Sequence, residues 1–302
     1  MEEGTLIMEK LSDISVIIAT TAEKNREVQL NKAIDSILTQ QNCSFNLIVI
    51  INGRRYDENI RNKLETNTSL NCYYREEGHY PKALVYGRKK VDAPYFCFLD
   101  DDDELLPNSL HARLAEFKHN PDVDAVIGNG VWQRTDKNKS ETHNSILEFQ
   151  KNPLAVLLQP HGNWLCSCAG MFKSATIPQS YFDDYAPYGE WTYIAYKLAV
   201  YNTIHFVEHK CFRINVNSES LSHDQAYLFG LYEMHKKVLS LSLPSYARKK
   251  IILKKKDMEH VIASQYLANN EMKQAWYYHF KSMTCLSSLL KYVLFTRHLV
   301  LK

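Results

Sequence analysis

The stretch "YFCFLDDDDELLP", Tyr95–Pro107, decides how this chain is read. Aromatic and apolar residues run up to Leu99. Asp100, Asp101, Asp102, Asp103 and Glu104 then follow without a break. Like charges this close repel and raise one another's pKa values, so water, a helix N-terminus or a divalent cation must compensate them. In an extended segment alternate side chains share a face. Asp100 and Asp102 are therefore expected to point at one spot, with Asp103 and Glu104 facing water or the helix that starts near Pro107. Two convergent carboxylates at a strand end make part of an oxygen site for Mg²⁺ or Mn²⁺, whose other ligands would be waters and substrate phosphates.

Working outward, strand and helix patterns alternate over the first 134 residues. "ISVIIAT" (Ile14–Thr20), "FNLIVII" (Phe45–Ile51), "LNCYYR" (Leu70–Arg75), "YFCFL" and "VDAVIGNGVWQR" (Val123–Arg134) read as strands. Between them, 26–41, 57–67, 81–91 and 107–120 carry helical spacing or helix-start signals. Continuous apolar strands alternating with helices predict an α/β, Rossmann-like, mostly parallel sheet covered on both faces. Such sheets bind ligands outside the carboxyl ends of their strands. Thr20–Thr21, Asn52–Gly53 and Asp100–Asp103 are then expected on one edge. Residues 135–225 are less regular and rich in aromatics, and from 226 onward the chain reads as a helical extension.

Composition narrows the classes. The 302 residues are 45% hydrophobic and carry a formal net charge of +2, ordinary for a globular protein and without the basic excess of a nucleic-acid binder. Seven cysteines without a C-x-x-C pair suit reduced thiols in a cytoplasmic setting better than a disulfide framework or a zinc site. Met1–Lys10 lacks the pattern of a secretory leader, and no run of 18 apolar residues occurs. There is no G-x-G-x-x-G and no G-x-x-x-x-G-K-[ST], so no glycine loop is available to cradle phosphates in backbone N–H groups. The acidic strand end is then the expected way for this sheet to hold a diphosphate.

Several segments together resemble the inverting family 2 glycosyltransferases of GT-A fold. They are "ISVIIATTAEKN", "SILTQQ" (Ser36–Gln41), "NLIVIINGR", "YFCFLDDDDELLP", "YGEWTYIAYKLA" and "FRINVNSESLSH" (Phe212–His223). The resemblance spans roughly residues 13–223. It implies a catalytic domain over 1–225, with a nucleotide-binding half at 13–134 and an acceptor half at 135–225, followed by the extension at 226–302. It further implies transfer from a nucleotide-diphosphate sugar, a UDP-sugar by expectation, to a saccharide or lipid-linked saccharide hydroxyl in surface polysaccharide synthesis.

Carried over by position, Thr20, Asn52, Lys82, Asp100 and Asp101 would contact the nucleotide, and Asp102, with His223, would hold Mn²⁺ or Mg²⁺. Asn52 stands where the family often has Asp, which changes an acceptor into a mixed donor and acceptor. Glu190 would be the general base, with Asp183 and Asp184 as alternatives. Trp164, Tyr188 and Trp191 would offer ring faces to the acceptor. A non-catalytic nucleotide-sugar or saccharide-binding protein and a nucleotidyltransferase are the competing readings. The basic, amphipathic C-terminus suggests peripheral contact with the inner face of a membrane, or packing on a further subunit of a homo-oligomer.

Overall fold

The computed structural model describes residues 12–134, 140–142, 146–216, 225–283 and 289–301. Its strands are β1 (Ile14–Thr20), β2 (Phe45–Asn52), β3 (Asn71–Arg75), β4 (Tyr95–Asp100), β5 (Glu104–Leu105), β6 (Ala125–Arg134), β7 (Ser140–Thr142), β8 (Gly170–Lys173) and β9 (Ile204–Val216). Its helices are α1 (Glu27–Leu38), α2 (Glu58–Thr66), α3 (Tyr80–Lys89), α4 (Ser109–His119), α5 (Ile146–Lys151), α6 (Pro153–Leu157), α7 (Ser180–Asp183), α8 (Glu190–Tyr201), α9 (Gln225–Leu239), α10 (Ser245–Ala268), α11 (Met272–Ser282) and α12 (Leu289–Leu301).

The described strands form one mixed sheet in the order β3-β2-β1-β4-β8-β6-β9-β5, with β7 attached to β6. β1 lies parallel to both β2 and β4, pairing Thr20 with Ile51 and Ala19 with Asp100. β2 is parallel to β3 and pairs Asn52 with Arg75. The carboxyl ends of these four strands therefore share one edge, as the alternation predicted. Every residue of β1 and the last six of β2 are buried, the pattern of strands covered on both faces. α1 turns Leu30, Ala33, Ile34 and Ile37 inward at helical spacing. α2 is capped by Asp57, which accepts the N–H groups of Asn59 and Ile60. β8 runs antiparallel between β4 and β6.

The chain separates into two compact units. One comprises the residues up to Lys151 with Trp164–Asp184 and Asn202–Asn217; the other comprises Asn152–Asn163, Tyr185–Tyr201 and Ser218–Lys302. This division differs from the boundary expected at 225. α8 buries Tyr193, Ile194, Ala195, Tyr196 and Leu198 and packs on α6 and α9 within the second unit. Lys237 Nζ donates to the Tyr185 carbonyl at 2.7 Å, and Tyr196 Oη to the Leu157 carbonyl at 3.1 Å. α8 thus belongs with the C-terminal helices, because its apolar surface is too broad for a helix lying in open solvent.

Candidate active site

The acidic run does not stay extended. β4 ends at Asp100, and the Asp103 N–H donates to the Asp100 carbonyl at 3.2 Å, closing a turn. Asp is a favoured turn residue because its short carboxylate competes for local backbone groups. The turn cancels the alternation expected of a strand, so each carboxylate acquires its own surroundings.

Asp100 accepts the Tyr80 hydroxyl at Oδ1, 2.5 Å, and the Ser167 hydroxyl at Oδ2, 2.7 Å. Burial pushes its pKa up, the two hydroxyls draw it back, and Asp102 and Asp101 add to the rise. Asp101 is 5% exposed. It accepts the Thr20 hydroxyl at 2.6 Å and Arg26 Nε at 3.0 Å on Oδ2, with Arg26 Nη2 on Oδ1. Arg26 is thereby a bidentate partner of a buried carboxylate, and its Nη2 also lies 3.2 Å from Asp102 Oδ2. The Asp102 side chain keeps 29% of its surface open. Burial raises its pKa, Arg26 partly offsets this, and Asp101 raises it again.

Asp103 and Glu104 do not face open water or cap the following helix, a correction to the expectation. Asp103 is 5% exposed and accepts the Asn215 N–H at 3.1 Å. Burial, then the charges of Asp100 and Asp102, push its pKa up. Glu104 pairs with Arg213 at 3.0 Å, and Asn215 Nδ2 donates to the Asp102 carbonyl at 2.8 Å. The N-cap of α4 is Asn108, without a side-chain cap bond. The physical reason is the turn: it directs the run toward β5, which pairs with β9, instead of letting it spread into solvent.

The remaining expected residues fall in different places. Thr20 is 2% exposed, with its hydroxyl engaged by Asp101 and by the Ala22 N–H. Asn52 is 8% exposed and its Oδ1 accepts the His79 N–H at 3.0 Å, at the start of α3. Beside it Gly53 sits at φ +95°, where an added Cβ would lie 2.9 Å from the Gly78 Cα; only glycine allows this close backbone approach. Lys82 is an exposed residue paired with Glu77 at 2.5 Å.

Trp164 is corrected outright. It is 3% exposed and packs edge-on against Phe206, with ring centroids 5.4 Å apart, so it is a core residue with no open face for an acceptor. Glu190, Tyr188 and Trp191 lie in the second unit. There Glu190 opens α8 and its carboxylate accepts the Tyr188 N–H at 3.1 Å; Tyr188 is 38% exposed at φ +64°. His223 lies outside the described residues.

The strand edge thus brings together Thr20, Asp100, Asp101 and Asp102. Sequence reasoning missed Arg26, Tyr80 and Ser167, which serve these carboxylates from 75, 20 and 67 residues away. Among the described residues no three Asp, Glu, His or Cys side chains converge as a ready metal cage. The donor set nevertheless suits a hard cation. Three carboxylates are raised by burial and mutual repulsion, and Asp102, which keeps open surface, shares one arginine with Asp101.

The model of the family described as Glycosyl transferase family 2 matches residues 15–177, more than half of the chain. An uncharacterized glycosyltransferase of Rickettsia conorii is 26% identical over 181 residues, covering 59% of this chain and 28% of that protein. A teichoic acid poly(glycerol phosphate) polymerase of Staphylococcus epidermidis is 30% identical over 124 residues, covering 36% of this chain and 16% of the polymerase. The chain thus spans less than a third of the length of these relatives. Residues 1–349 of S. aureus TarS, solved in complex with UDP-GlcNAc, superpose with a TM-score of 0.64 at 13% identity, over 89% of this chain and 80% of that one. The TarS complex with UDP gives 0.54 at 15% identity, over 83% and 72%. The fold is GT-A-like, and the chain belongs to glycosyl transferase family 2.

Proposed function

We propose that this protein is an inverting glycosyltransferase that moves a sugar from a nucleotide-diphosphate donor, a UDP-sugar, to a saccharide hydroxyl during cell-surface polymer assembly. The observation that carries the reading is the crowded carboxylate turn at the carboxyl edge of four parallel strands. The teichoic acid polymerase among the relatives supports the surface-polymer role. The nucleotide-bound TarS structures support the donor class.

In this reading Asp102, with Asp100 beside it, would hold Mn²⁺ or Mg²⁺, which would supply Lewis-acid charge neutralisation for a nucleoside diphosphate leaving group. Asp101 does not touch the donor. It is locked between Thr20 and Arg26 and keeps the turn in shape. Glu190 takes the proton of the acceptor hydroxyl as that oxygen attacks the sugar carbon. One base and no covalent intermediate give a single displacement with inversion. The N–H of Tyr188 fixes the rotation of the Glu190 carboxylate.

Calorimetry of UDP with and without Mn²⁺ tests the donor site; binding that ignores the metal removes the role of Asp102. The substitution Glu190→Gln tests the base. Transfer should fall by roughly 10²–10⁴-fold while UDP binding persists, and full activity in the variant assigns the base elsewhere.

Among the described residues no helix is long and apolar enough to cross a membrane. The second unit exposes Tyr277, Phe280, Val293, Leu294 and Val300 on helices that also carry Lys281 and Arg297. This mixture of apolar and basic residues suits an anionic lipid surface. Sedimentation with phosphatidylglycerol vesicles but not phosphatidylcholine ones is the expected result. Self-association without vesicle binding would assign the face to a second copy.

A further inference from the structure

Asp100 is the one member of the turn whose two carboxylate oxygens each receive a hydroxyl proton from a different part of the chain. Tyr80 reaches Oδ1 from the first residue of α3, at 2.5 Å, and Ser167 reaches Oδ2 from the segment before β8, at 2.7 Å. In the strand order these arrive from the two sides of β4, since α3 follows β3 and β8 is the next strand on the other flank. A carboxylate held at both oxygens cannot rotate about its Cβ–Cγ bond. Each oxygen still retains a lone pair for a further partner.

Both hydroxyls stand on fixed supports. Ahead of Tyr80, the His79 N–H is tied to Asn52 Oδ1, Gly78 packs on Gly53, and the Gly53 N–H donates to the Arg75 carbonyl at 2.8 Å. The segment joining β3 to α3 is thereby pinned to the end of β2 before it delivers Tyr80 to β4. Next to Ser167, the Cys168 carbonyl accepts Arg113 Nη1 at 3.2 Å. Arg113 is fully buried, and its other hydrogen bonds go to the carbonyl and hydroxyl of Ser109. A guanidinium held by neutral oxygens in the interior carries a large desolvation cost, and here it fixes the backbone that presents Ser167.

We propose that Tyr80 and Ser167 are positioning residues of the donor site, holding Asp100 in the orientation in which it meets the nucleotide diphosphate and its cation. This rests on the donor-site reading given above. It makes Asn52, Gly53 and Arg113 parts of the same frame, although none of them needs to touch substrate. A change of orientation by tens of degrees would misdirect a bond at the site, which is the kind of error that pre-organised side chains prevent.

The test uses the full chain with UDP as probe, in Mn²⁺, by calorimetry. Tyr80→Phe and Ser167→Ala each remove one hydroxyl bond to a charged group. Each is expected to weaken UDP affinity about tenfold, with the melting temperature changed by only a few degrees. Asp100→Asn is expected to cost at least as much, and adding Tyr80→Phe to it should cost less than a further twofold, because the hydroxyl acts through the carboxylate. A general loosening of the fold would instead add its loss in both backgrounds.

Wild-type affinity in Y80F and S167A, or an undiminished tenfold loss on top of Asp100→Asn, overturns the proposal while leaving the donor site in place. A wild-type chain that does not bind UDP in Mn²⁺ overturns the donor-site reading itself. If Y80F fails to fold, S167A, which removes a single oxygen, decides the matter by the same comparison.

Discussion

Each of the two units holds a buried carboxylate beside basic side chains, and the two are balanced differently. In the second unit Glu259 is 0% exposed and meets Lys255 at 2.6 Å, Lys256 at 3.0 Å and the Tyr232 hydroxyl at 3.0 Å. Burial raises its pKa, but the two lysines outweigh this and the net shift is downward. In the sheet unit, by contrast, Arg26 pairs among the described residues with Asp101 and Asp102 alone, while Asp100 accepts two hydroxyls and Asp103 a backbone N–H. Asp100, Asp102 and Asp103 are all shifted upward. In the helical cluster the charge of Glu259 is met by two lysines. The strand-end cluster instead holds its carboxyls against burial and one another's charge, a strain that a bound cation would relieve in the reading proposed above.

The difference predicts opposite signs for similar substitutions. The largest effect is expected at Arg26, which pairs with both Asp101 and Asp102. Arg26→Met leaves Asp101 buried without its cation and should cost about 3 kcal/mol of stability, read from urea unfolding. Glu259→Gln should cost about 2 kcal/mol at neutral pH, because the two lysines lose their counter-charge. Folding lowers the Glu259 pKa, so its contribution is present above the unfolded carboxylate value and is lost as pH falls through the folded value. The gap between wild type and E259Q should therefore close as the pH is lowered below about 4. Equal costs at pH 7 and pH 3 would show that the carboxylate is not the stabilising group.

Asp103→Asn should instead stabilise the metal-free protein at neutral pH, by about 1 kcal/mol, since folding raises the Asp103 pKa and so costs stability at any pH above the unfolded carboxylate value, while Asn can still accept the Asn215 N–H. A loss of stability would mean that the turn is not overcharged. The smallest effect is expected at an exposed pair, Glu233–Lys236, whose side chains are about half exposed. E233Q should move stability by ~0.5 kcal/mol or less, which sets the scale against which the buried clusters are measured.

What the sequence disclosed follows the same division. The buried strands β1, β2 and β4 were legible because unbroken runs of Ile, Val, Leu and Phe have few alternative homes. The common edge for Thr20, Asn52 and Asp100 followed from parallel topology alone. The helices from α9 onward were legible from their length and spacing. The interior of the acid turn was not. Treating Asp100–Asp103 as extended placed Asp103 on the wet side, whereas one backbone bond, Asp103 N–H to Asp100 O, turns it inward. Arg26, Tyr80 and Ser167 sit in stretches without a motif, and only the tertiary fold brings their side chains to the carboxylates. β8, four residues long, lay hidden in the irregular middle. Trp164 looked like a sugar platform because a lone indole carries no sign of which side of the surface it occupies.

The attachment of the turn to β9 has a consequence for how the sequence is free to drift. Asn215 holds both the Asp103 carboxylate and the Asp102 carbonyl, and Arg213 holds Glu104, across more than 100 residues of chain. Positions 102–104 and 213–215 are therefore tied to one another in the fold. A residue without a side-chain donor at 215 would keep the backbone bond to Asp103 and lose the bond to the Asp102 carbonyl. Among relatives, substitutions in the two segments should occur together, so that the acid run carries a distant signature in "RIN", Arg213–Asn215, that no local motif would reveal.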